Sequence, residues 1–189
     1  MKPIWIVLGV VGAGILLAGV WLIATFNRFV RLRQHIKESW ADIDVELKRR
    51  YELIPNLVET VKGYAKHERE SLERVIELRN AASASTGSAE SQAADESALM
   101  VGMKRLFALA EAYPDLKANT NFLELQGQLA ETEDRIAAAR RFFNGNVREQ
   151  NQLCSMFPTS LVAGAFGFGP ATFFELSSEA ERVTPRVNL

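Results

Sequence analysis

The stretch FVRLRQHIKESWADIDVELKRRYELI, from Phe29 to Ile54, decides the fold class. Its apolar residues fall at Phe29, Leu32, Ile36, Trp40, Ile43, Leu47, Tyr51 and Ile54, in steps of three or four. An α-helix turns once in 3.6 residues, so these positions line one face while charged side chains occupy the others. Such a face requires other helices to cover it.

Upstream the chain becomes wholly apolar. The run IWIVLGVVGAGILLAGVWLIATF, Ile4 to Phe26, has 23 residues and no charge. As a helix it extends roughly 34 Å, enough to cross a hydrocarbon layer of ~30 Å. Cleaved signal peptides have shorter apolar cores that end on small residues in an A-x-A pattern. Here Ala18 is preceded two back by Leu16, and Ala24 by Leu22. The expectation is a retained transmembrane helix over 4–26 behind a short extracytoplasmic N-terminus at 1–3. No Gly or Pro separates Phe26 from Arg50, so the helix should continue into the body. Lys2 precedes the run, whereas Arg28, Arg31, Arg33 and Lys37 follow it. Cationic side chains collect on the cytoplasmic side, which places the N-terminus outside and the body in the cytoplasm. Gly9 with Ala13 and Gly14 with Ala18 are small-xxx-small pairs, but glycine is common in spanning helices and the pairs alone define no dimer seam.

Downstream, Pro55 lacks an amide proton and crowds the preceding turn, so the helix either kinks there or stops and restarts. Leu57, Val58 and Val61 resume the spacing, and Gly63 reads as a helix end. A second helix carries Leu72, Val75, Ile76 and Leu78; the Ser- and Ala-rich AASASTGSAESQAADES, 81–97, is then drawn as a loop, although its alanines could extend the helices on either side and only its middle demands one. A third helix runs from near Ala98 to Tyr113, before Pro114. A fourth, capped by Asn119 or Thr120, spans Phe122 to Phe157 with Leu129, Ile136, Phe143, Val147 and Leu153 inside. Four helices with short links give an up-and-down antiparallel bundle. The expected fold is therefore all-α: a transmembrane helix continuing into a long-helix four-helix bundle over 27–157, then an apolar Gly-rich segment and tail over 158–189. SLVAGAFGFGPATFF after Thr159 is too short and broken to span. It reads either as a cap on the bundle end or as an interfacial element, with Leu161, Val162, Phe166, Phe168, Phe173 and Phe174 as the membrane-surface candidates.

Composition and motifs exclude more than they suggest. Lys and Arg number 22 against 23 Asp and Glu, which gives no electrostatic reason for a nucleic-acid partner. Cys154 stands alone, so an internal disulfide framework and most thiolate metal sites are out of reach. Di-metal bundles need Glu-x-x-His, yet Leu32 lies three before His35 and Tyr64 three before His67. A zinc-protease motif starting at His67 needs a second histidine where Ser71 stands. His67 sits beside a helix start and reads as turn chemistry rather than a phosphotransfer group. No metal, cofactor or catalytic residue is expected.

Charge placement is more informative. Glu38, Asp42 and Glu46 repeat at four-residue steps and repel along the helix, which calls for cations opposite. Arg140, Arg141 and Arg148 of the fourth helix are the candidates, within one subunit or between neighbours. The alternative is local relief, Asp44 with Lys48 and Glu46 with Arg50. Lys48, Arg49 and Arg50 form a second basic cluster, too far along the helix for lipid headgroups and so open to a neighbouring subunit, a protein partner or plain solvation.

Three strings carry a resemblance: RLRQHIKESWADIDVELKRRYELIPNLVETVKGYAKHE from Arg31, LFALAEAYPDLKANTNFLELQGQLAETEDRIAAARRFFNGNVREQN from Leu106, and FPTSLVAGAFGFGPATFF from Phe157. The chain resembles the LemA family of bacterial membrane proteins over nearly its whole length. The resemblance implies a helical-bundle body on an N-terminal anchor with its N-terminus outside. Family members include proteins of magnetosome membranes, and some are encoded near membrane proteases. The family has no established catalytic residues, so none carries over. The expectation is a non-enzymatic, self-associating scaffold that contacts the bilayer and organises membrane or a membrane protein complex. The alternative is a regulatory or signalling partner of a membrane protease or a phosphorelay.

Overall fold

Pro55 does not break the first helix. The computed structural model describes residues 2–85 and 87–176, and α1 runs without interruption from Lys2 to Lys62. It is followed by α2 (Arg69–Ala84), α3 (Ala89–Glu111), the single turn α4 (Pro114–Lys117), α5 (Thr120–Ser155) and α6 (Thr159–Phe166). No strand occurs among the described residues. The tail beyond residue 176 lies outside them.

A proline inside a helix leaves the carbonyl four residues earlier without its donor. Here that carbonyl belongs to Tyr51, and the Arg79 Nε of α2 donates to it at 2.9 Å. The side chain of one helix thus supplies the hydrogen bond that another helix lacks. Arg79→Met should cost about 1 to 3 kcal/mol, the penalty for an unpaired buried polar group. Pro55→Ala restores the missing N–H, so the same Arg79 change should cost less in that background. A double-mutant cycle from urea unfolding measures the coupling; additive effects would mean that the Arg79 contact is incidental.

The chain divides into two compact units. The first comprises residues 1–38 and 145–171. Residues 4–24 of α1 are exposed along their whole length, and this is the one helix among the described residues long and apolar enough to cross a membrane. Beyond them α5 pairs antiparallel with α1: Arg28 meets Glu149 at 2.8 Å and the Asn146 amide donates to the His35 carbonyl at 3.4 Å. Phe29 and Leu32 pack with Leu153, Val162, Ala163 and Phe168 in one buried cluster, so α6 folds its inner face onto both long helices. Gly167 ends α6 at φ 69°, a left-handed conformation that glycine adopts without steric cost. The chain then runs extended beside α5. Asn151 holds both backbone groups of Ala171, donating to its carbonyl at 3.0 Å and accepting from its N–H at 2.8 Å, and Gln150 donates to the Gly169 carbonyl.

The second unit comprises 39–144 and the chain from 172. Here α1, α2, α3 and α5 form the four-helix bundle, with α1 and α5 antiparallel: Trp40 lies beside Phe143, and the Asn119 amide donates to the Tyr64 hydroxyl. Ile43, Leu47, Ile54 and Leu57 of α1, Leu99 and Leu106 of α3, and Leu129 and Ile136 of α5 build its core. Gly102 lets α2 and α3 approach closely, because a β-carbon there would lie 2.7 Å from the Leu78 Cδ1. Asn119 caps α5 by accepting from the Phe122 N–H at 3.0 Å.

One sequence expectation needs correction. The loop drawn over 81–97 is mostly helix: α2 reaches Ala84, and α3 begins at Ala89 behind an N-cap in which Ser88 accepts from the Ser91 N–H. The segment lacks large apolar residues because Gln92, Ala93 and Glu96 are what α3 buries there.

Candidate functional site

Arg50, read from sequence as part of a basic surface cluster, is 1% exposed and points into the second unit. Its Nη1 donates to the two Glu133 carboxylate oxygens at 2.8 and 3.1 Å, and its Nη2 pairs with Glu96, itself 1% exposed. The Tyr51 hydroxyl donates to Glu96, and the Gln92 amide donates to Glu96, the Tyr51 oxygen and the Ala82 carbonyl. Burial pushes the Tyr51 hydroxyl up to about 12, with Arg50 pulling the other way. The phenol therefore keeps its proton and stays a donor through the neutral range. One guanidinium between two carboxylates ties α1 to α3 and α5. Arg50 and Glu96 are both 1% exposed, whereas Glu133 is partly open to solvent, so the cluster is a largely buried lock between helices. Lys48 and Arg49 remain outside, Lys48 exposed and paired with Asp44 at 2.6 Å.

The acidic stripe is answered piecemeal. Glu46 lies 3.8 Å from Arg135, which also pairs with Glu131. Glu38 accepts from Gln34 and contacts the His35 ring. Asp42, Val45 and Glu46 of α1 face Arg135, Ala138 and Ala139 of α5 across a shallow groove. Arg140 is half-buried, and Arg141 and Arg148 are exposed. Arg135, not among the cations expected opposite the stripe, is brought to Glu46 by the antiparallel register of α1 and α5.

In the first unit, Arg28 pairs with Glu149, Arg33 lies over the Phe168 ring at 4.8 Å, and Arg31 and Lys37 are exposed. The apolar segment after Pro158 divides by face. Val162, Phe168 and Phe174 are buried and so are not available to a membrane surface; Phe173 is half-buried; Leu161 and Phe166 are exposed. Two exposed apolar residues that the sequence reading passed over, Met156 and Phe157, stand just before them.

Among the described residues no three His, Cys, Asp or Glu side chains gather as metal ligands would. His67 is exposed in the turn before α2. The Cys154 thiol contacts the Phe168 carbonyl at 3.7 Å, and burial pushes its proton affinity up, which disfavours the nucleophilic thiolate.

A model of the LemA family matches residues 39–189. Protein LemA of Metamycoplasma hominis is 27% identical over 157 residues, covering 83% of this chain and 71% of that protein. Magnetosome protein MamQ of Magnetospirillum gryphiswaldense is 22% identical over 193 residues, covering 88% of this chain and 71% of that protein.

Proposed function

The chain belongs to the LemA family, and from that premise we propose that it is a non-enzymatic, single-pass, membrane-anchored helical scaffold that self-associates and organises membrane or a membrane protein complex. The observation that carries the anchor is the exposure of every residue from 4 to 24 on an uncharged stretch of α1. In water that surface would be far larger than the apolar patches soluble proteins tolerate. In a bilayer it is matched to its solvent. The cations that follow the run support an N-terminus outside and a body in the cytoplasm of a bacterial inner membrane. The name of the MamQ relative, a magnetosome protein, favours a role at a membrane.

Self-association is supported by the groove between α1 and α5 in the second unit. It is lined by Ala138 and Ala139, by both signs of charge in Asp42, Glu46 and Arg135, and by Val45, which is 62% exposed. A surface with both charges and small residues is self-complementary, as a two-fold interface requires. Native mass spectrometry of the detergent-extracted chain should find oligomers. Asp42→Arg should dissociate them, and adding Arg141→Asp should restore part of the assembly. A monomer at every concentration would end the self-association reading; a stoichiometric protease in the same preparation would favour the regulatory alternative. Protease digestion of inverted vesicles should degrade the body, and protection there would reverse the topology.

A further inference from the structure

The end of α5 and the outer face of α6 carry an apolar surface that no other described residue covers. Met156 is 58% exposed, Phe157 80%, Leu161 64% and Phe166 49%. No charged residue lies between Glu149 and Glu175. We propose that this patch is a second membrane contact, dipping into the leaflet that α1 leaves at Phe26. The proposal rests on the reading of α1 as the anchor.

The register of the first unit sets its depth. Arg28 meets Glu149 and Asn146 meets the His35 carbonyl, so each step forward along α5 is a step back along α1. Met156 and Phe157 therefore come level with α1 near Thr25, at the end of the uncharged run. Two observations agree. Thr25 is only 7% exposed on an otherwise uncovered stretch, and the Phe26 ring lies 4.9 Å from that of Phe166. The α6 core partners Phe29 and Leu32 stand about 4 to 9 Å along α1 beyond Phe26, within or close to the headgroup zone of roughly 5 to 8 Å on each side of the hydrocarbon. Chain reversal at this depth is tolerated only if its polar groups are satisfied without water. The Thr159 hydroxyl donates to the Leu153 and Met156 carbonyls, Ser155 donates to the Gln152 carbonyl, and the Ser160 and Leu161 N–H groups bond to Met156 and Pro158. An aromatic and aliphatic surface at the hydrocarbon boundary, with Arg31 exposed just above it, fits lipid on both counts.

The test uses nitroxide labels on the full chain in a Cys154→Ser background, reconstituted into vesicles of equal parts phosphatidylcholine and phosphatidylglycerol. Single cysteines replace Leu161 or Phe157, with Leu16→Cys as the hydrocarbon reference and Glu38→Cys as the aqueous one. Oxygen partitions into hydrocarbon and a charged or polar nickel chelate into water, so their relative collision rates report depth. At Leu161 and Phe157 the oxygen-to-nickel ratio should rise several-fold above that at Glu38, towards the value at Leu16. A ratio like that of Glu38, with Leu16 still in hydrocarbon, overturns the second contact and leaves the anchor standing. Protection from both reagents would mean that a second protein surface covers the patch, and also overturns it. If Leu16 itself reads as aqueous, the anchor fails and the proposal falls with it.

Discussion

Arg50→Met is expected to lower the stability of the body by about 3 to 5 kcal/mol, the usual penalty for removing one partner of a buried ion pair. The loss comes less from the missing attraction than from what stays behind. Glu96 is as buried as Arg50, and without the guanidinium its charge faces only the Tyr51 hydroxyl and the Gln92 amide. A second change separates the two contributions. Glu96→Leu removes the stranded carboxylate, so Arg50→Met with Glu96→Leu should regain much of the loss, as apolar replacements of whole buried pairs often do. Lys48→Met provides the contrast: its pair with Asp44 is exposed, and such pairs contribute about 0 to 1 kcal/mol. Urea unfolding of the detergent-solubilised chain, followed by helical circular dichroism, reads all three. Equal, small effects for Arg50 and Lys48 would show that the burial of Arg50 does not matter energetically.

Trp40→Ala should cost about 3 kcal/mol, at the lower end for a packed aromatic because the indole is half-buried. Its ring lies 5.3 Å from that of Phe143 on α5 and 5.4 Å from that of Phe174, which is fully buried. The change therefore opens a void against two elements at once. The Asn144 amide pairs with the N–H and carbonyl of Phe174, both at 2.9 Å, so the backbone there keeps one hold on α5 after the ring contact is lost. Lys37→Ala, at an exposed position, should stay within about 0.5 kcal/mol. Thermal unfolding of the two variants distinguishes them, and comparable shifts in melting temperature would mean that Trp40 is not part of the packed face.

The stripe from Phe29 to Ile54 was legible because periodicity reports which side chains face inward whatever they touch. The same rule hid Arg50 and Glu96, since a charge on an inner position reads as a break in the stripe. Glu96 does stand in step with Leu99, Met103 and Leu106, a spacing that marks it as buried once α3 is extended back to Ala89. The second half of α5 read simply as less apolar. Its amides Asn144, Gln150 and Asn151 instead hold the backbone of the following segment, and a partner consisting of peptide groups leaves no side-chain signature to find. In the glycine-rich segment the face was not legible: apolar composition alone does not say that Val162 turns in and Leu161 turns out.

The bond from Arg79 to the Tyr51 carbonyl has a consequence for how the body opens. A helix that completes its own hydrogen bonds can fray turn by turn. Here the ladder around Pro55 is completed from α2, so releasing α2 also strips a bond from α1 beside the proline. Residues 51–62 and α2 should thereby open as one cooperative element, with amide protons expected to exchange together rather than in sequence.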